Sequence, residues 1–267
     1  MSVNNQDSNL VCKYCGSEAV SKFGTYKGTQ RYWCKSCKRK FKADDNPFHM
    51  KVPANYVSRA VAEFYMGNSV NDIRETLYQE TGYRPSKSII WKWITKYTDL
   101  AIEHFKDFHP KVGSVWTADE TMVDLDRQLK VWVYNVIDER TRYLLASRIA
   151  LSRTTHHAQM VMKEAQRRAG KAPTQVLTDA NRSYDDGIEL VFGADTEHVK
   201  TKPFAGGATT QRIERYHGTF KDRVKVMRAF KDIETLMQFN DGWLVYYNYF
   251  KPHQALNNRT PAEDAGN

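Results

Sequence analysis

Cysteine is scarce in this 267-residue chain: there are four, all within the first 37 residues. A disulfide framework for the whole chain is thereby excluded, and the four must serve something local. No apolar run approaches the roughly 20 residues of a membrane span, and the N-terminal MSVNNQDSN lacks the apolar core of a signal peptide. The expected location is therefore the cytoplasm. No internal repeat or low-complexity tract interrupts the chain. Acidic residues are outnumbered, 31 Asp and Glu against 40 Lys and Arg, which leaves a formal net charge of +9. That excess fits a polyanion partner, DNA or RNA alike, and fits an ordinary basic protein too. A hydrophobic content of 41% is enough for a real core. The length allows one large domain or two or three modules.

The cysteines come as CKYC (12–15) and CKSC (34–37), two pairs of identical spacing with 18 residues between them. Two thiolates two residues apart bite one ion from a tight knuckle, and four complete the tetrahedral site that Zn²⁺ accepts. Cys12, Cys15, Cys34 and Cys37 are thus expected to hold a structural zinc, in a ribbon too short to carry a core alone. Between the pairs, Tyr26, Arg31, Tyr32 and Trp33 alternate with polar residues as hairpin strands do. KSCKRKF (35–41) carries four cations, among them Lys38, Arg39 and Lys40. These read as a phosphate contact or as a solvated edge.

DDNPF (44–48) reads as a linker, which bounds a first domain at 1–46. The next stretch is helical. Val57, Val61, Phe64 and Tyr65 recur at helical spacing, Gly67 closes that helix, and Ser69 caps a second whose stripe is Val70, Ile73 and Leu77. After TGYRP, Ser86 caps a third helix bearing Lys87, Lys92 and Lys96 along with Ile89, Trp91, Trp93 and Ile94. Helix, turn, helix, break and basic helix describe a helix-turn-helix DNA-binding domain over 47–109, or a plain three-helix bundle. Trp91 and Trp93 cannot share a helical face, so at least one is expected in the core.

From 110 to 267 the pattern changes. Apolar, β-branched runs in VGSVWTADETMVDL, LKVWVYNVID and YLLASRIAL precede a helix from Thr154 to Ala169. Then come a short strand QVLTD, a helix through Ile188 to Phe192, a strand TEHVKTK and two helices over 209–250. The order βββαβαβαα is that of a ribonuclease-H-like core with a mixed sheet, making the whole chain a multidomain α/β protein. Asp119 and Asp179 fall near strand ends and are expected to face one region. Glu214 flanks the stripe Ile213, Tyr216, Phe220, Val224 and Met227 of a late helix, and His217, Lys221, Lys225 and Arg228 follow it down the adjacent strip. By strand phase Glu120 points to the opposite face from Asp119, where it reads as a strand-end charge or a salt bridge. Asp185 and Asp186 read as turn or helix-start residues. His217 is left between orienting a phosphate and bonding a neighbour.

The stretches WTADET, VLTDAN and RIERYHGTFK, with 59 and then 34 residues between their acids, resemble the DDE transposases of bacterial and archaeal insertion sequences. The likeness is to the insertion-sequence-six group, related to retroviral integrase cores, and it covers 110–267 including the tail YYNYFKPHQALNNRTPAE. It implies that Asp119, Asp179 and Glu214 are the catalytic triad, holding Mg²⁺ or Mn²⁺, and that Lys221 is a DNA-contacting residue. It implies a prokaryotic, nucleoid-associated enzyme that binds the ends of an insertion sequence and catalyses cleavage and strand transfer into target DNA. A homodimer or higher homo-oligomer on DNA goes with that activity. Two other functions stay open at this point: an inactive, DNA-binding regulator, and a metal-dependent nuclease that does not join.

Overall fold

The computed structural model describes residues 10–26, 28–42, 52–125, 129–179, 181–201 and 210–266. The expected linker at 44–48 lies outside the described residues. Two compact units emerge, Met1–Val57 and Ser58–Asn267.

In the first unit, β1 (Val20–Tyr26), β2 (Thr29–Cys34) and β3 (Lys40–Lys42) form an antiparallel sheet in that order. Its buried core is Cys12, Cys34 and Phe41. So small a core is far below what folding entropy requires of a free-standing fold. The cations of the second knuckle are exposed, and two lie over rings: Lys40 Nζ is 4.0 Å from the Phe23 centroid and the Arg39 guanidinium 5.2 Å from that of Tyr14.

Three helices follow: α1 (Ala54–Met66), α2 (Val70–Thr81) and α3 (Lys87–Phe105). Ser69 caps α2 as expected. Asp72 completes a capping box that the pattern reading passed over, and Gly82, at φ 70°, closes the helix. The Ser86 side chain accepts from the Ile89 N–H at 3.3 Å to start α3. Ile90, Ile94 and Thr98, four residues apart, are the buried face of α3, while Lys87, Lys92 and Lys96 are exposed. Neither tryptophan reaches the core. Trp91 is half-buried edge-on to Phe64 and Trp93 half-buried against Tyr83, because the stripe of Ile90 and Ile94 already fills the inner face.

The remaining elements are β4 (Val115–Asp124), β5 (Lys130–Asp138), β6 (Leu144–Ala150), α4 (Thr155–Ala169), β7 (Gln175–Thr178), α5 (Ser183–Phe192), β8 (Glu197–Lys200), α6 (Gln211–Met227), α7 (Ile233–Tyr249) and α8 (Pro261–Asp264). The sheet order is β6-β5-β4-β7-β8. β4, β5 and β6 pair antiparallel, as their short connections require, whereas β7 and β8 join parallel through the crossover helices α4 and α5. An antiparallel meander with its first strand central, extended by two parallel strands, is the ribonuclease-H-like fold. Trp116, Ala118, Tyr134 and Val136 pack on Ala158, Val161 and Met162 of α4 and on Tyr184 and Ile188 of α5, forming the main core on one face. The helices α6 and α7 cover the other.

The helix α7 carries the three-helix segment. Tyr65 stacks on Phe239 and Tyr246, its hydroxyl bonds Thr98 Oγ1 at 2.7 Å, and both meet α7 at Gly242, where a Cβ would collide with the Tyr65 hydroxyl and the Thr98 methyl. No helix among the described residues is long and apolar enough to cross a membrane.

Candidate active site and metal centre

Asp119 is not at a strand end. It lies in the middle of β4, two residues beyond the last β4–β7 pair, Thr117 with Leu177. Because β7 stops at Thr178, the sheet is notched there, and Asp179 turns into the notch from the other strand. The Asp179 carboxylate accepts the Asn181 N–H at 2.9 Å, an Asx turn that fixes its direction. Carboxylate oxygens of Asp119, Glu120 and Asp179 all lie within 4.8 Å of one another. Burial pushes the Asp119 carboxyl up to about 7, and the charges of Glu120, Asp179 and Glu214 add to the shift, against a hydrogen bond from the Glu120 N–H. Crowded, half-desolvated carboxylates of this kind are what a hard divalent cation relieves. The donor set, oxygen only, fits Mg²⁺ or Mn²⁺.

Glu120 stands closer to this group than its strand phase suggests. Its side chain is 1% exposed and takes three donors: Asn181 Nδ2 at 3.0 Å, the Tyr184 hydroxyl at 2.7 Å, and the Arg153 guanidinium, the salt bridge the sequence reading allowed for. Its oxygens are spoken for. Through Asn181 it braces the turn that carries Asp179.

Glu214 occupies the first turn of α6. It is exposed, and Thr210 Oγ1 donates to its Oε1 at 2.8 Å. It lies outside the 4.8 Å cluster, yet its charge is felt at Asp119. Lys221 and Lys225 are exposed on the same helix, as expected, whereas Arg228 falls beyond its end at φ 66°. His217 is buried, 6% exposed, and departs from that strip. Its Nε2 is 3.1 Å from Asn135 Nδ2, which also donates to Val133 O, so Nε2 accepts and Nδ1 keeps the proton. Nδ1 then points to Asp119 Oδ2, 3.5 Å away. Burial and the Lys221 charge push the ring down to about 3, so it is neutral at working pH. Asn135 is the cross-strand partner of Asp119, a pairing that no sequence signal announced.

In the first unit, the sulfurs pair at 3.6 Å, Cys12 with Cys37 and Cys15 with Cys34, and none forms a disulfide. A tetrahedral zinc with Zn–S of about 2.3 Å needs sulfurs about 3.8 Å apart. The four thiols therefore stand at zinc spacing. The Cys37 N–H, aimed at Cys34 Sγ at 3.5 Å, is the largest influence holding that thiol down to about 6, whereas burial and the neighbouring thiols push Cys37 up to about 12, so a cation is what lets all four ionise together.

Topology and acidic notch together define a ribonuclease-H-like protein with a candidate divalent-metal site. Residues 113–253 match the DDE domain family of IS240-type transposases, and the chain belongs to that family. Among curated relatives, the transposases for insertion sequence-like element IS431mec of Staphylococcus aureus strains Mu50 and N315 are each 28% identical over 135 residues, 51% of this chain and 57% of theirs. The chain thus spans little more than half the length of the relatives it matches. Among solved structures, the HTLV-2 integrase catalytic core domain in complex with magnesium aligns at 14% identity and a TM-score of 0.46, over 60% of this chain and 99% of that one. The BIV integrase core aligns at 13% and 0.43, over 57% and 93%.

Proposed function

We propose that this chain binds the ends of an insertion sequence and catalyses their cleavage and strand transfer into target DNA. The observation that carries the reading is the convergence of Asp119 and Asp179 in the sheet notch of a DDE-family chain, with Glu214 on the helix alongside. In this reading Asp119, Asp179 and Glu214 hold Mg²⁺ or Mn²⁺, and Glu120 braces them from behind. Held there, such ions would supply Lewis-acid charge stabilisation for phosphodiester displacement. The protein's own part is positional. Asp119 is oriented by His217 and the Glu120 N–H, Asp179 by its Asx turn, and Lys221 offers an exposed cation on α6 to a DNA phosphate. The basic α3 face, Lys87, Lys92 and Lys96, reads the terminal repeat, and the ribbon with Lys38, Arg39 and Lys40 adds affinity through a bound Zn²⁺ and phosphate contacts. The active form is a homodimer or larger assembly on DNA in the cytoplasm.

The test incubates the purified chain with candidate element ends, Mg²⁺ and a target plasmid. Joined products are the expected result. Nicked ends without joining would favour the nuclease, and end binding without either would favour the regulator. Lys87→Ala with Lys92→Ala should weaken end binding and flatten its salt dependence, because fewer counterions are released; an unchanged slope argues for a plain bundle.

A further inference from the structure

A cavity of about 60 Å³ lies on another side of α6 from His217, against the β5–β6 hairpin and the segment after α7. That exceeds the roughly 10–15 Å³ one water needs. Four cations line it: Arg142, Arg212, Arg215 and Lys251. Arg212 is paired with Glu139 at 2.8 Å, but Arg142, Arg215 and Lys251 have no acidic partner among the described residues. His253 also lines the cavity, and its Nε2 is buried without a hydrogen-bond partner. Burial pushes that ring down to about 4, and the Lys251 and Arg142 charges add to the shift against a hydrogen bond to the Tyr247 backbone. Arg142 and Lys251 are half-buried and Arg215 is exposed, so one opening gathers cations of which three have no carboxylate among the described residues, and an anion is the ligand that fits them.

We infer that this cavity is an anion site for a single phosphate group, supplied by the DNA backbone. Arginine forks match phosphate oxygens, and such contacts fix the register of a nucleic acid without reading its sequence. Arg212 and Arg215 lie with Glu214 within the first five residues of α6, so the cavity and the exposed carboxylate lie at one helix start. The inference rests on the DNA reading above and adds a second anchor to it.

Arg142→Asn with Lys251→Gln is the variant of choice. Neither residue adjoins Glu214, and Asn suits the φ of 60° that Arg142 adopts. Binding to a DNA duplex is measured against salt concentration, with Ca²⁺ held constant. Loss of one phosphate contact should lower the log–log slope by about 0.9, while Lys163→Gln, which removes an exposed cation of α4 away from both sites, keeps the parental slope. If the parent binds duplex and the double variant has the same slope, the anion site is wrong and the DNA reading stands. A parent that binds no duplex refutes the DNA reading and, with it, the backbone as the source. Titration with inorganic phosphate then tests the site itself through the His253 ring resonances. Movement in the parent and not in the double variant supports a phosphate site, and resonances that stay still in both overturn it.

Discussion

His217 Nδ1 stands 3.5 Å from Asp119 Oδ2, and the other ring nitrogen is held by Asn135, the residue directly across the sheet from that aspartate. The row continues. Asn135 Oδ1 takes the Ser147 hydroxyl at 2.8 Å, Ser147 is the cross-strand neighbour of Asn135 on β6, and Asn240 of α7 donates to Ser147 O at 3.1 Å. A polar line thus runs across three strands beneath α6 and α7 and ends on the carboxylate in the notch. Buried polar groups persist when every member is satisfied, and here the line fixes the histidine tautomer and turns Nδ1 toward the carboxylate, whose Oδ1 is held by the Glu120 N–H.

From that line we predict that His217→Ala weakens Mn²⁺ binding about 10–100-fold, the usual cost of removing a residue that orients a metal-binding group. End binding should be unchanged. Manganese EPR titration reads the first and gel shift the second. A metal affinity equal to the parent's would mean that His217 merely fills the core.

For the ribbon, one zinc per chain is expected by elemental analysis. Cys34→Ser should remove it and unfold residues 10–42, since among the described residues only Cys12, Cys34 and Phe41 form the buried core there. Amide exchange on that segment checks the second half. A metal-free chain whose strands stay protected would end the zinc assignment.

Gly242 is where α7 passes closest to Tyr65 and Thr98. Gly242→Ala should destabilise Ser58–Asn267 by about 1–3 kcal/mol, the ordinary cost of overpacking a core. It should also increase exchange in α1 and α3 more than in the sheet. Denaturant unfolding decides the matter, and a stabilised variant would show that the contact yields.

The order of strands and helices was legible because each element carries its own period: alternation in VWVYNVID, and a stripe in Ile213, Tyr216 and Phe220. The capped starts at Ser69 and Ser86 were legible for the same local reason. What stayed hidden was long-range. No spacing tells that Asn135 lies across from Asp119, that His217 turns inward, or that β7 ends early enough to leave Asp119 in a notch although β4 runs on to Asp124. Strand phase was right about the face of Glu120. It missed the carboxylate's nearness to Asp119 and Asp179, which depends on Asn181 drawing the turn after β7 onto Glu120.

Glu214 and Glu120 are both glutamates beside Asp119, and their surroundings assign them opposite duties. Glu214 is exposed, and a Thr210 hydroxyl is the one hydrogen-bond donor to its side chain among the described residues, which leaves it free to take a metal. Glu214→Gln keeps the size and removes the charge, so stability and end binding should hold while cleavage and joining fall together. The loss should be at least about 100-fold, given that each ~1.4 kcal/mol of lost charge stabilisation is tenfold in rate. Glu120→Gln differs in kind. The amide turns a donor toward Asn181 or Tyr184 and leaves Arg153 without its partner, so the chain should lose about 1–3 kcal/mol of stability. Its joining should fall less than that of the Glu214 variant, through a loosened Asp179 turn. Thermal unfolding and strand transfer measured on both variants separate the two roles. Normal joining by Glu214→Gln, with joining abolished in a fully stable Glu120→Gln protein, would move the third catalytic carboxylate from α6 to β4.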